Sequence, residues 1–187
     1  MKTLLVLAHP RRNSLTATVA DIFARGLQHN GHSVEWADLV QEGFDPVMRE
    51  ADEPDWDDSR KRYSPEVQRE MERIERNDAT LMIFPLYWWS VPAILKGWID
   101  RVWNNGWAYG DRSFPQRHVW MIGIAGNNAA GFASSGYDRA IQTQLDVGIL
   151  AYCGVAGRRV ELLYGSIEGQ SRVEQILLDA ERIAAEF

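Results

Sequence analysis

A chain of 187 residues, 45% hydrophobic and 25% charged, can bury one substantial core but is too short for two ordinary domains. Its 26 acidic against 20 basic residues leave a formal charge of -6, which argues against a nucleic-acid partner and against an anionic membrane surface. The single cysteine, Cys153, excludes an internal disulfide and a CxxC redox pair, so reducing cytoplasm is the expected compartment.

The continuous apolar run Lys2 to Ala8 predicts a strand covered on both faces. It is too short, and runs too directly into Arg11-Arg12, to serve as a signal peptide. Ser14 fits an N-cap, Val19, Ile22, Phe23 and Leu27 recur at helical spacing, and Gly31 fits the residue just past a helix end. Ser33 to Leu39 predicts a second strand. Residues 43–64, rich in Asp, Glu, Pro and Arg, have no period and predict a long surface excursion, with a charged helix following from Pro65 to Arg76.

Thr80 to Tyr87 predicts a third strand. The stripe Val91, Ile94, Leu95, Trp98, Ile99, Val102 and Trp103 predicts a helix ended by Asn104-Asn105-Gly106. The uncharged run at 79–95 is broken by Pro85 and Pro92, so no membrane insertion is expected. His118 to Ala125 predicts a strand, residues 126–136 a small-residue loop, and Tyr137 to Cys153 a helix. Arg159 to Tyr164 and Arg172 to Phe187 predict the last strand and helix. Five strand–helix units in one chain imply an α/β domain spanning residues 1–187, with a doubly wound parallel sheet in the order 2-1-3-4-5.

Ligands of such a sheet bind beyond the carboxyl ends of the strands, where the strand order reverses. That position gathers three loops. His9 to Thr16 leads into a helix N-terminus, a natural phosphate site, with Ser14 and Thr16 adding hydroxyls; an ordinary capped helix reads equally well. Pro85, Leu86, Tyr87, Trp88 and Trp89 put three adjacent aromatics at the top of a central strand, where strand alternation cannot bury them all on one face. A flat aromatic ligand or a dimer interface would use them. Ala125, Gly126, Asn127 and Asn128 open a loop that permits close backbone approach. A phosphate end, a flat wall and a glycine loop together fit a flavin nucleotide.

The acidic run at 50–58 lacks calcium-loop spacing, and His9, His29, His32 and His118 lack paired ligand spacing, so no metal is expected. Cys153 reads as a core residue. A phospho-receiver needs acidic residues after strands one and three, where Ala8-His9 and Leu86-Tyr87 stand.

Val91-Pro92-Ala93-Ile94-Leu95-Lys96-Gly97-Trp98-Ile99-Asp100-Arg101-Val102, followed by Gly106-Trp107-Ala108-Tyr109, is a long specific block. With Ser64-Pro65-Glu66 and Gly148-Ile149-Leu150, it resembles the NAD(P)H:quinone oxidoreductases of the flavodoxin-like fold. That group includes the DT-diaphorase type and the ancillary flavoproteins of potassium efflux systems. The resemblance implies a flavin, NAD(P)H as co-substrate, a quinone-like acceptor, and a homodimer whose flavin site is completed across the interface. His9, Ser14, Leu15 and Thr16 would hold the phosphate and ribityl end, and Leu86, Tyr87, Trp88 and Trp89 would line the ring.

Ala125 to Asn128 keep only the position of the family's Thr-Thr-Gly-Gly loop. Tyr109 would belong to the acceptor pocket. The family's following Tyr and His are not matched, and Tyr137 is the only nearby phenol; it is a candidate donor to the flavin, against the alternative of a core tyrosine at a helix start. The His9-to-Ser14 spacing and Ser64-Pro65 resemble FAD-using relatives and the short length FMN-using ones, so the expectation leans to FAD. An alternative to the enzyme is a flavin-binding ancillary subunit with little turnover, docking through residues 43–64.

Overall fold

Every residue of β1 (Lys2–Leu7) after the first is buried, as only a strand covered on both faces can be. The computed structural model describes residues 1–187. β1 lies between β2 (Ser33–Asp38) and β3 (Ala79–Pro85), and β4 (His118–Ile124) and β5 (Gly157–Leu163) extend the sheet. All pairs are parallel and the order is β2-β1-β3-β4-β5, as the sequence predicts.

Strand alternation splits the core in two. Leu5, Leu7, Leu81, Ile83 and Ile122 face α1 (Leu15–His29) and the C-terminal helix, with Phe23, Leu27 and Ile176. Leu4, Val6, Met82 and Phe84 face the opposite way, onto Val67, Leu95 and Trp98 of α2 (Pro65–Glu75) and α3 (Ala93–Val102). Ser14 caps α1 by accepting from Ala17 N, and Gly31 beyond its end has a φ of 78°.

Three expectations need correction. Residues 126–136 are not all loop, because α4 (Ala129–Ser135) lies within them. Asn128 caps it, Gly136 ends it at a φ of 73°, and only Phe132 is buried, so no apolar stripe betrays the helix. The helix expected over Tyr137 to Cys153 is α5 (Tyr137–Gln142) running into a wider π-helical stretch, Thr143–Ala151, a geometry no residue pattern here announces. The excursion at 43–64 is more than a solvated surface. Phe44, Asp52 and Tyr63 are buried, and Asp52 carries an ion pair to α3. The last helix, α6, is Gln170–Ala184.

Candidate functional site

The three predicted loops rise side by side from one edge of the sheet because their strands are neighbours. Ala8 N donates to Ile83 O at 3.1 Å, Leu86 N to Ile124 O at 2.9 Å, and Ala125 N to Leu163 O at 2.8 Å. A fourth loop, after β5, joins them: Gly165 N donates to Asn127 O at 2.9 Å and Ser166 N to Ala125 O at 3.0 Å. Residues 164–169 were missed in the sequence, although glycines at 165 and 169 bracket the turn.

β3 ends at the buried Pro85, two residues earlier than predicted, because the chain then folds back on itself. Tyr87 N donates to Ser90 O and Ser90 N to Tyr87 O, both at 3.1 Å. The two residues they enclose, Trp88 and Trp89, have φ values of 51° and 57°. A two-residue turn with both central residues in the left-handed region is the type I′ turn, which favours Asn-Gly. Left-handed backbone costs a non-glycine residue about 1–2 kcal/mol, and bulky residues there mark turns held for a purpose. Trp88 is 88% exposed, and Tyr87 and Trp89 are partly so.

Beside this turn lies a depression of about 230 Å³ lined by Leu86, Trp88, Trp89, Gly126, Asn127 and Phe132. It joins the second and third loops, and Phe132 of α4 is the member that the sequence did not reveal. Tyr137, half-buried at the start of α5, stacks on Trp89 with ring centroids 4.3 Å apart. It therefore stands at the aromatic turn as well as against the core. Ser90 Oγ reaches Gln144 Oε1 at 3.3 Å, tying the turn to the π-helical stretch.

The first loop sits at the end of β1, outside the lining of that depression. His9 is buried, with Nδ1 3.0 Å from both the N and O of Arg11, and burial pushes its pKa below the ordinary imidazole value. Ser14 Oγ is occupied as the α1 cap and Thr16 is buried. The free donors here are the N–H groups of Leu15 and Thr16, which precede the first helical bond. In the third loop, Asn128 is likewise occupied: Oδ1 accepts from Gly131 N at 2.9 Å and Nδ2 donates to Glu168 at 2.7 Å. Ala125 is buried, leaving backbone groups of Gly126 and Asn127 at the surface.

Tyr109 lies elsewhere. It lines a mostly apolar groove of about 400 Å³ with Met48, Trp56, Trp103, Ile149 and Tyr152. Its ring is 5.9 Å from that of Trp56 and 5.6 Å from that of Tyr152, and burial raises its pKa. Cys153, at the same groove, is buried, which pushes its thiol up to about 11. Within one chain, then, Tyr109 and the aromatic turn line separate cavities. No helix is long and apolar enough to cross a membrane.

A family model described as a flavodoxin-like fold matches residues 1–186. The Escherichia coli (strain K12) protein named Uncharacterized NAD(P)H oxidoreductase YcaK is 40% identical over 164 residues, covering 87% of this chain and 83% of that protein. NAD(P)H dehydrogenase [quinone] 1 of Cavia porcellus is 28% identical over 188 residues, covering 88% and 68% respectively. Among solved structures, the NAD(P)H:quinone oxidoreductase from Methanothermobacter marburgensis superposes with a TM-score of 0.93 at 30% identity, covering 100% of this chain and 96% of that one.

Proposed function

This chain belongs to the flavodoxin-like fold family, and from that premise we propose that it is a flavin-dependent NAD(P)H:quinone oxidoreductase. The observation that carries the reading is the strained, exposed Trp88-Trp89 turn beside the depression closed by Gly126 and Asn127. Rings held at that cost and left in water need a flat partner. Bound there, a flavin supplies two-electron transfer from NAD(P)H to an acceptor, chemistry that no side chain performs.

The residues present fit that group. Leu86, Trp88 and Trp89 bind and orient planar rings and exclude water from their faces. Backbone groups of Gly126 and Asn127 meet a polar edge. The N–H groups of Leu15 and Thr16, at the positive end of α1, hold a phosphate, with His9, Ser14 and Pro85 shaping the loops around them. Asn128 acts by fixing α4, and Tyr87 and Ala125 by holding the turn and the glycine loop in place. Tyr137, stacked on Trp89, is the hydroxyl donor of the site. Both partners react through contact between planar rings, so positioning rather than a dedicated base carries the rate.

FAD is the flavin in this reading, on the His9-to-Ser14 spacing and the Ser64-Pro65 segment. A second copy completes the site across the apolar groove that Tyr109 lines. The cytoplasm is the compartment, where Cys153 stays reduced and NAD(P)H is at hand.

The test is to purify the protein, identify the nucleotide released on denaturation, and follow NAD(P)H oxidation with a simple quinone. Yellow protein that turns over steadily supports the reading. Colourless protein that neither flavin reconstitutes overturns it, and tight flavin with negligible turnover makes the chain an ancillary flavin-binding subunit instead.

A further inference from the structure

A third cavity, of about 530 Å³, shares no residue with the aromatic depression or with the Tyr109 groove. Its volume is that of a small-ligand cleft. Among its walls are Arg60, Lys61, Arg62 and Arg112, together with Met71 and the half-buried Trp107. Four cations around one cavity are notable in a chain whose net charge is -6.

Arg60, Arg62 and Arg112 have no carboxylate partner, unlike Arg73, Arg101 and Arg159; other arginines such as Arg11, Arg69 and Arg139 are unpaired too, but these three share one cavity. Lys61 is turned to the chain itself, with Nζ donating to Glu53 O at 2.8 Å. The lining carboxylate, Asp111, is engaged by Ser59 Oγ at 2.5 Å. What remains is a concave surface where three unpaired guanidinium groups outnumber one carboxylate, and a positive excess around a cleft favours an anion.

The cavity is also built rather than incidental. Tyr63 Oη donates to Asn105 O at 3.1 Å, and Asn105 Nδ2 donates to Asp55 O at 2.7 Å. Gly106 has a φ of 78°, and a Cβ there would strike the Ser59 carbonyl, so the two walls meet backbone to backbone. Trp107 is fixed by its Nε1, which donates to Glu75 at 2.7 Å.

We propose that this cavity is a second binding site, for the phosphates of a nucleotide, with Arg60, Arg62 and Arg112 as phosphate ligands and Trp107 as the platform for the base. Arginine suits the task because its planar fork bonds phosphate oxygens in pairs. A free nucleoside diphosphate and the adenosine phosphate half of a nicotinamide dinucleotide carry the same chemistry.

Titration calorimetry of ADP, pyrophosphate and NADP⁺ against the flavin-loaded protein tests it. ADP and pyrophosphate should bind at one site per chain and weaken as salt rises. Each of Arg60→Gln, Arg62→Gln and Arg112→Gln should weaken both at least about tenfold, the factor carried by about 1.4 kcal/mol of charge-assisted bonding. Trp107→Leu should weaken ADP and spare pyrophosphate. Displacement of ADP by NADP⁺ identifies the dinucleotide as the natural source, and its absence identifies a free nucleotide.

Failure of both ADP and pyrophosphate to bind at millimolar concentration overturns the proposal. So does ADP binding that survives the triple arginine variant, or that is lost instead in Trp88→Asn/Trp89→Gly, which would put it in the aromatic depression. The readout is binding, so the result stands apart from whether quinones are reduced.

Discussion

Trp88 and Trp89 occupy the two positions of a hairpin turn where their residue type is least at home. The reciprocal Tyr87–Ser90 bonds fix the turn, and the rings are carried on it into solvent and against Tyr137. Replacing the pair by the residues that such a turn favours removes about 1–2 kcal/mol of strain per residue and loses the Trp89–Tyr137 contact, worth about 0.5–1.5 kcal/mol. Trp88→Asn/Trp89→Gly should therefore make the flavin-free protein more stable, by about 1–2 kcal/mol in urea unfolding, while quinone turnover falls at least about tenfold. A variant that is less stable and turns over normally would make the turn a structural fastening. The exposure of these rings could be argued from strand alternation, but the sign of φ could not. It depends on hydrogen bonds that close only once β3 has ended at Pro85. Tyr137 was legible as a nearby phenol, and its stacking on Trp89 was not, because α5 must first be placed over the turn.

At the scale of elements, the acidic excursion shows where local reading stops. A charge run is normally a solvated face, yet Asp52 is fully buried and accepts from Arg101 Nη2 at 2.8 Å. The same carboxylate accepts from Ser64 N at 2.8 Å and Ser64 Oγ at 3.0 Å, while Ser64 caps α2 by accepting from Val67 N. Arg101 also donates to Glu66 Oε2 at 2.7 Å, so one guanidinium ties the excursion, α2 and α3 together. Gly97 in α3 allows this approach, since a Cβ there would meet the backbone of Pro46. The partners are far apart in sequence, which is why no window of residues reveals them. Arg101→Leu leaves the Asp52 carboxylate buried without its counter-charge, and should cost about 3–5 kcal/mol in denaturant unfolding. Lys96→Ala breaks only the half-exposed pair to Asp100 and should cost no more than about 0.5 kcal/mol. Similar losses from the two variants would remove the excursion's claim to be part of the core.

For the whole molecule, the parallel sheet was readable because the central strands β1, β3 and β4 are mostly apolar runs and each connection is long enough for a crossover helix. The groove of Trp56, Tyr109 and Tyr152 was not, because its members come from the excursion, the segment after α3 and the end of the π-helical stretch. Trp56 is 72% exposed and Tyr152 65% exposed, more aromatic surface than a lone chain ordinarily leaves in water. A second copy seated there would cover it and bring Tyr109 toward the partner's aromatic turn, joining two features that one chain holds apart. Sedimentation should therefore give twice the chain mass. Tyr152→Glu, which puts a charge into that contact without disturbing the chain's own core, should give monomers that keep their fold and lose most quinone turnover. Tyr109→Phe should stay dimeric, retain its flavin and change the KM for the acceptor, because only the hydroxyl is removed. A wild-type monomer with full turnover would mean that each chain works alone, and loss of flavin from the Tyr109→Phe dimer would move that tyrosine from the acceptor to the cofactor.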